Sequence, residues 1–340
     1  MKARDFLING SLLLGTVVLF FLGIEAALRI TGIVTVKPNP PKIYQPSAVP
    51  DISYELKPNV SERAYRSTVT TNSLGFRSAE IDPKKPTLAF IGDSITFGFG
   101  VEDDETIPAR IQAMLPHINV LNTASPGYNL IQQTAVYREK VKKFDPKAAV
   151  LIFHFNDVEE VGMELARLDP DGILRSQGWK PTDTACDPTE TGILGKIPGR
   201  CWLDLHSAFY KAMKKYVNAR QGQRDLAAQE QTAKTNAFSE NISDDNLNRY
   251  GEQLGKLRSQ FPEGLPRLFV IWPERHLHFL ARPKLKEIAR SNGFKVLDLY
   301  EVFGNEAETL GWDTVHPSAE TAAKGAEVIK AALDHYQMLP

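Results

Sequence analysis

The stretch TLAFIGDS at residues 87–94 is an uninterrupted apolar run that ends in a glycine and two small polar residues. Similar runs follow at residues 119–124, 148–155, 266–272 and 295–300. None of them alternates between apolar and polar residues, which is typical of strands that are buried on both faces. Amphipathic helical patterns separate the runs. This alternation predicts an α/β protein with a parallel sheet of about five strands and helices on both faces.

The N-terminal stretch FLINGSLLLGTVVLFFLGI at residues 6–24 contains no charged residue. Its length approaches the ~20 residues that a helix needs to cross a bilayer core. Lys2 and Arg4 precede it, which favours a cytoplasmic amino terminus and a periplasmic or extracellular domain. The run is longer than that of a cleaved signal peptide, and IEAALR offers a poor cleavage site. We expect residues 1–34 to form an uncleaved signal-anchor helix; a cleaved signal peptide is the alternative, and it also exports the domain.

The charge and the cysteine content of the chain bear on the class of function and on its compartment. The formal net charge is −1, from 40 basic and 41 acidic residues, and no basic stripe interleaved with aromatic residues is present. Nucleic-acid binding is therefore not expected. Cys186 and Cys201 are the only cysteines. Export permits a disulfide between them that would close a short loop, and two unpaired thiols are the alternative.

Two segments lie outside the strand–helix alternation. Residues 35–86 begin with repeated prolines, which favour extended backbone. We interpret them as a spacer and lead-in segment, partly packed on the domain by Tyr44 and Tyr54. The domain itself spans residues 87–340. Within it, residues 158–265 are polar over long stretches and are interpreted as an insertion folded over one edge of the sheet.

Polar residues follow several of the predicted strands, at the edge where ligands bind in open parallel sheets. Ser94 follows the first strand, Gly127 the second and Asn156 the third, while Asp313 and His316 come after the fifth. A serine hydroxyl becomes a nucleophile when a neighbouring base accepts its proton. His316 is the candidate base, and Asp313 would fix its tautomer. The candidate oxyanion-hole donors are the N–H groups of Ser94 and Gly127 and the side-chain amide of Asn156.

The blocks GDSIT, SPGYN, FND and DTVHP resemble, in order and strand context, those of the SGNH hydrolase superfamily of GDSL esterases and lipases. The resemblance implies a flavodoxin-like three-layer α/β/α sandwich and hydrolysis of acyl esters through a serine acyl-enzyme. It assigns the same roles to Ser94, Gly127, Asn156, Asp313 and His316. One departure is His154, which stands where the family often has glycine and leaves the size of the substrate open.

The stretch TTNSLGFR at residues 70–77 also resembles membrane-anchored members of the superfamily, which are often tied to cell-envelope glycans. We therefore predict an exported serine esterase that removes an acyl group, foremost acetyl, from an envelope glycan or a related ester. An O-acyltransferase that uses the same acyl-enzyme is one alternative. A catalytically silent glycan-binding protein is another.

His276 and His278, in the stretch WPERHLHFL, invite a metal interpretation. Two histidines at i and i+2 without a clear third ligand are weak grounds for a metal site. No metal and no other cofactor is therefore predicted. We expect His276 and His278, together with His154, to be candidates for lining the substrate pocket.

Overall fold

The computed structural model describes residues 3–32, 34, 36, 40–159, 165–175, 194, 196–238 and 242–339. These residues fall into two compact units. One lies within Met1–Asn39 and Trp179–Asp225, and the other within Pro40–Gly178 and Leu226–Pro340. Cys186 lies outside the described residues, so its pairing with Cys201 stays a prediction.

The strands are β1 (Tyr44–Pro46), β2 (Tyr54–Leu56), β3 (Ser61–Ala64), β4 (Ser67–Thr70), β5 (Thr87–Ile91), β6 (Asn119–Asn122), β7 (Ala148–Phe153), β8 (Arg167–Leu168), β9 (Leu174–Arg175), β10 (Arg267–Ile271) and β11 (Lys295–Asp298). The α-helices are α1 (Ala3–Thr31), α2 (Ser94–Phe97), α3 (Ile107–Met114), α4 (Leu130–Val136), α5 (Asn156–Glu159), α6 (Arg200–His206), α7 (Ala208–Thr235), α8 (Asp244–Gln260), α9 (Ala281–Ser291), α10 (Tyr300–Phe303) and α11 (Ala319–His335).

Five of these strands form one parallel sheet in the order β11-β10-β7-β5-β6. Every residue of β5, β6 and β7 is buried. Alternate residues of a strand enter opposite cores: Ala89 and Ile91 face one side of the sheet, and Leu88 and Phe90 the other. Both faces are therefore covered, which explains why these runs are apolar without alternation. The predicted five-stranded parallel sheet is confirmed.

Helices cover the sheet on both sides. Buried residues of α4, α8 and α9 belong to the core on one face, and those of α3 and α11 to the core on the other. The result is the three-layer α/β/α arrangement that the resemblance implies. β5 is an inner strand that pairs with β7 on one side and β6 on the other, so the turn that carries Ser94 follows a strand with two neighbours.

The lead-in segment is more integrated than a spacer. From residue 40 it belongs to the same compact unit as the sheet, and Ile43, Tyr44, Ile52 and Tyr54 are buried in its core. β1 pairs with β2 and β3 with β4 as antiparallel ribbons. Any extended linker is therefore shorter than the predicted range 35–86.

The end of the predicted insertion 158–265 is also part of the sandwich. Leu247, Tyr250, Leu254 and Leu257 make one face of α8 and are buried in the core. Their spacing of three and four residues places them on one helical stripe. α8 is therefore a layer helix, and it does not belong to a solvated segment over the sheet edge.

The other unit contains the N-terminal helix α1. Its part from Ile8 to Thr31 is long and apolar enough to cross a membrane, with none of its most apolar window buried. Glu25, near its end, accepts hydrogen bonds from the backbone N–H groups of Ala208 and Phe209, both at 2.8 Å. The Phe21 ring contacts the Phe209 ring edge-on at 5.2 Å. Glu25 thereby caps the first turn of α7, where free N–H groups and the helix dipole favour a negative charge.

Candidate active site

Ser94 is the first residue of α2, and Gly92 and Asp93 separate it from the end of β5. Asp93 caps this short helix by accepting a hydrogen bond from the Ile95 N–H at 3.0 Å. Gly92 allows its backbone to lie close to Thr96 and Ile152, because a Cβ at this position would lie 2.1 Å from Thr96 Oγ1 and 2.9 Å from the Ile152 carbonyl oxygen. The Gly-Asp-Ser sequence thus makes a tight strand-to-helix turn that presents the Ser94 hydroxyl at the carboxyl edge of the sheet.

Ser94, His316 and Asp313 form a continuous hydrogen-bonded chain. His316 Nε2 lies 2.8 Å from Ser94 Oγ, and His316 Nδ1 lies 2.8 Å from Asp313 Oδ2. Since a carboxylate only accepts, Nδ1 carries the proton and Nε2 is free to accept from the serine hydroxyl. Ser94 and His316 are 222 residues apart in the sequence, and the fold brings them together.

Asp313 is held as a carboxylate. Its Oδ1 accepts hydrogen bonds from the backbone N–H groups of Val315 at 2.7 Å and His316 at 2.8 Å. Burial by itself raises the pKa of Asp313, but these bonds and the bond from the His316 ring outweigh it. The pKa falls from 3.8 to about 2. Asp313 is therefore ionised throughout the neutral and mildly acidic range.

An aromatic wall stands beside the imidazole. Phe99 stacks on the His316 ring with centroids 4.2 Å apart, and it also contacts Tyr65 at 4.2 Å and Trp312 at 5.8 Å. Tyr65 sits in the two-residue turn between β3 and β4, where Tyr65 and Arg66 have φ of 53° and 67°. Such positive φ pairs are typical of a type I′ hairpin turn. The sequence interpretation missed this wall, because it assigned the lead-in no part of the site.

The two other predicted oxyanion-hole residues lie in the loops after β6 and β7. Asn156 begins α5, and its Nδ2 donates to Asp93 Oδ2 at 3.5 Å, next to Ser94. Gly127 has φ +79°, and a Cβ there would lie 3.0 Å from the Tyr54 hydroxyl oxygen. That hydroxyl donates to the Pro126 carbonyl at 2.5 Å. The lead-in strand β2 therefore braces the Gly127 loop.

His154 packs beneath this region and is buried. Its Nδ1 lies 2.8 Å from Asn156 Oδ1, so Nδ1–H donates to the amide oxygen and leaves the Asn156 NH₂ group available to other partners. Its Nε2 lies 3.3 Å from Glu274 Oε2. Of the three histidines expected to line a pocket, His154 and His278 are buried and only His276 offers accessible surface.

Glu274 contacts both histidines that follow β10, His276 and His278. His278 Nε2 lies 2.7 Å from Glu274 Oε1, and His276 Nδ1 lies 3.4 Å from the same oxygen. Burial raises the pKa of Glu274, but the hydrogen bond from His278 and the nearby imidazoles outweigh it and leave the pKa below its ordinary value. Within the described part of the chain, Glu274, His276 and His278 form the group of side chains whose donor atoms lie close enough to one another to hold a metal ion. Sequence reasoning lacked Glu274 as the third donor, although the spacing E-R-H-L-H contains it.

The fold and the site together define a three-layer α/β protein with a serine–histidine–aspartate chain at the carboxyl edge of a parallel sheet. Residues 90–324 match the model of the GDSL-like lipase/acylhydrolase family, and the chain belongs to that family. It is accordingly an ester hydrolase. No curated protein sequence matches the chain.

Several solved structures are similar at low identity. A lipase/acylhydrolase from Enterococcus faecalis is 11% identical with a TM-score of 0.41, over 74% of this chain and 96% of that chain. A catalytic mutant of Axe2, an acetylxylan esterase from Geobacillus stearothermophilus, is 16% identical with a TM-score of 0.39, over 72% and 92%. The esterase EstA from a Pseudoalteromonas species is 8% identical with a TM-score of 0.41, over 74% and 99%.

Proposed function

We propose that the protein is an exported, membrane-anchored serine esterase that removes acyl groups, foremost acetyl, from a cell-envelope glycan or a related ester. The observation that carries this proposal is the hydrogen-bonded chain from Ser94 through His316 to Asp313. An isolated serine hydroxyl is a weak nucleophile, and this chain supplies the base that activates it.

In the proposed first half-reaction, Ser94 Oγ attacks the ester carbonyl while its proton passes to His316 Nε2. Asp313 stabilises the imidazolium that forms and keeps the ring oriented. His316 then gives the proton to the departing sugar oxygen, and the C–O bond to the alcohol breaks. In the second half-reaction His316 takes a proton from water, the hydroxide oxygen attacks the acyl carbon, and Ser94 leaves with its proton restored.

The negative charge of the tetrahedral intermediate requires donors that are in place beforehand. The proposed donors are the Ser94 and Gly127 N–H groups and the Asn156 amide. The hydrogen bond from His154 to Asn156 Oδ1 supports this assignment, because it turns the NH₂ end of the amide away from His154. Removing one such donor typically lowers kcat by ~10²–10³-fold.

The surroundings favour a flat, partly polar alcohol over a long lipid chain. Phe99, Tyr65 and Trp312 form a half-exposed aromatic wall beside His316, and the Arg66 guanidinium lies 4.4 Å from the Trp312 ring centroid. Ligand sites that fix orientation combine such aromatic surface with a few polar groups. A sugar ring presents an apolar face and hydroxyl edges that suit this combination.

The substrate assignment is tested with an O-acetylated glycan oligomer and the purified full-length chain. We expect acetate release and an oligomer that is lighter by one acetyl group per turnover, read by mass spectrometry. A heavier acceptor oligomer with no free acetate would indicate an acyltransferase. Neither product, together with no labelling by a serine-reactive fluorophosphonate, would indicate a silent glycan-binding protein.

The membrane anchor is proposed to be retained after export. Glu25 near the end of α1 caps α7, so cleavage after this residue would remove Glu25 and leave the N–H groups of Ala208 and Phe209 without that partner. We expect intact-mass analysis of the membrane fraction to find residues 1–34 present. Protease added to the outer side should digest the domain and spare α1. Recovery of a soluble domain that lacks α1 would contradict the anchor, and cytoplasmic protection of the domain would contradict the orientation.

A further inference from the structure

Three donor atoms converge after β10 without a role in the proposed ester chemistry. Glu274 Oε1, His276 Nδ1 and His278 Nε2 all lie within 4.8 Å of one another. Both imidazole nitrogens face the same carboxylate oxygen, at 3.4 Å for His276 and 2.7 Å for His278. A mixed set of imidazole nitrogens and one carboxylate oxygen is a donor set that suits zinc.

The segment that carries these donors is fixed by its neighbours. The Tyr300 hydroxyl donates to the His276 carbonyl at 2.7 Å and accepts from the Glu274 N–H at 3.1 Å. His278 is stacked on Phe155 with ring centroids 3.7 Å apart. The donors are therefore positioned on a braced segment before any ion arrives, which lowers the cost of ordering them on binding.

His154, in the loop after β7, contacts the same carboxylate. Its Nδ1–H donates to Asn156 Oδ1 at 2.8 Å. Its Nε2 is buried, lies 3.3 Å from Glu274 Oε2 and has no hydrogen-bond partner among the described residues.

We propose that Glu274, His276 and His278 bind one Zn²⁺ ion, and that the same Glu274 carboxylate faces His154 Nε2 through its other oxygen. Zinc bonds of ~2.0–2.1 Å in a tetrahedron place neighbouring ligand atoms roughly 3.3–3.4 Å apart. The separation of 3.4 Å between His276 Nδ1 and Glu274 Oε1 already matches this spacing. His278 Nε2, at 2.7 Å from the same oxygen, has to move outward.

An ion at this position would fix the loop that follows β10. Through Glu274 Oε2, which lies 3.3 Å from His154 Nε2, it would also help to hold the Asn156 amide, which His154 contacts at 2.8 Å. The role is one of binding and positioning, and no step of the ester reaction passes through the ion. The proposal stands independently of the proposed function, because the donors do not contact Ser94 or His316 in any described hydrogen bond.

The test uses the full-length chain stripped with a chelator, dialysed and titrated with zinc chloride. We expect about one Zn²⁺ per chain by elemental analysis and a rise in Tm on zinc addition, since an ion that binds the folded state stabilises it. Glu274→Gln and His276→Ala should each weaken zinc binding by at least ~10-fold. His117→Ala, at an exposed histidine elsewhere, is the matched control and should bind like the wild type.

Several outcomes overturn the site. They are the absence of stoichiometric zinc binding by the wild type, and equal binding by the wild type and His276→Ala. His276 is 30% exposed in its side chain, so its replacement keeps the test decisive if Glu274→Gln fails to fold. Cobalt substitution gives a second readout: tetrahedral absorption bands should be present in the wild type and absent in His276→Ala. Ser94→Ala should bind zinc normally, which separates this test from that of the esterase.

Discussion

Ser94→Ala is expected to lower kcat for p-nitrophenyl acetate by at least ~10⁴-fold, because the acyl-enzyme can no longer form. The substitution removes only the hydroxyl oxygen that lies 2.8 Å from His316 Nε2. The turn around it is held by Asp93 and Gly92, so the fold should survive. Steady-state hydrolysis, with Tm as a check on folding, measures the effect.

A matched control is Ser291→Ala, at an exposed serine whose hydroxyl bonds only to the nearby Ile288 carbonyl. We expect this variant to keep wild-type activity and fluorophosphonate labelling, whereas Ser94→Ala loses both. If Ser94→Ala retained a tenth or more of the wild-type rate, Ser94 would not be the nucleophile and the proposed mechanism would fall.

The sheet could be predicted because the burial of each strand is visible in the sequence of that strand alone. A strand buried on both faces must be apolar at every position, and the runs at residues 87–91 and 148–153 meet this condition. The order of the strands, β11-β10-β7-β5-β6, was not predicted, because parallel pairing with short crossovers allows more than one order. Ser94, Asn156 and His316 could still be placed at one edge, without knowledge of any side-chain distance, because the carboxyl ends of parallel strands lie at the same edge of a sheet.

The lead-in and α8 could not be placed in this way. Prolines in the lead-in indicate extended backbone equally well in a free spacer and in the short ribbons β1 to β4. What decides between them is long-range packing, as of Tyr54 against the Gly127 loop. α8 has only a narrow apolar stripe in a polar sequence, and its Tyr250 and Leu254 gain their burial from strands far along the chain.

The contacts around the site divide in the same way into local contacts, which could be predicted, and long-range contacts, which could not. Asp313 and His316 are three residues apart, so their contact is local and could be predicted. The approach of Glu274 to His154 joins the ends of two different strands, and the aromatic wall joins a hairpin turn to Phe99 and Trp312. These contacts depend on the conformations of the loops at the edge of the sheet. Loop conformations produce no periodic pattern in the sequence.

Asp313→Asn has the second large expected effect, a fall in kcat of ~10²–10⁴-fold with little change in KM. An amide at this position can present its NH₂ group to His316 Nδ1, which favours the ring tautomer with its proton on Nε2. That tautomer cannot accept the Ser94 proton. The loss should appear in acylation of the enzyme, measured as the burst of p-nitrophenol in rapid mixing, and Asp104→Asn at an exposed site should leave the burst unchanged.

The pH dependence separates this role from a merely structural one. Because the pKa of Asp313 lies at about 2, the carboxylate stays charged far below neutrality. The acid limb of kcat/KM in the wild type should therefore report one proton, the one that blocks His316 Nε2, with a slope of one in the logarithmic plot. In Asp313→Asn the imidazolium loses its counter-charge, so protonation of the ring becomes harder and the limb should move to lower pH. A limb that stays in place, with an equally reduced rate at every pH, would show that Asp313 only supports the loop and does not act through His316.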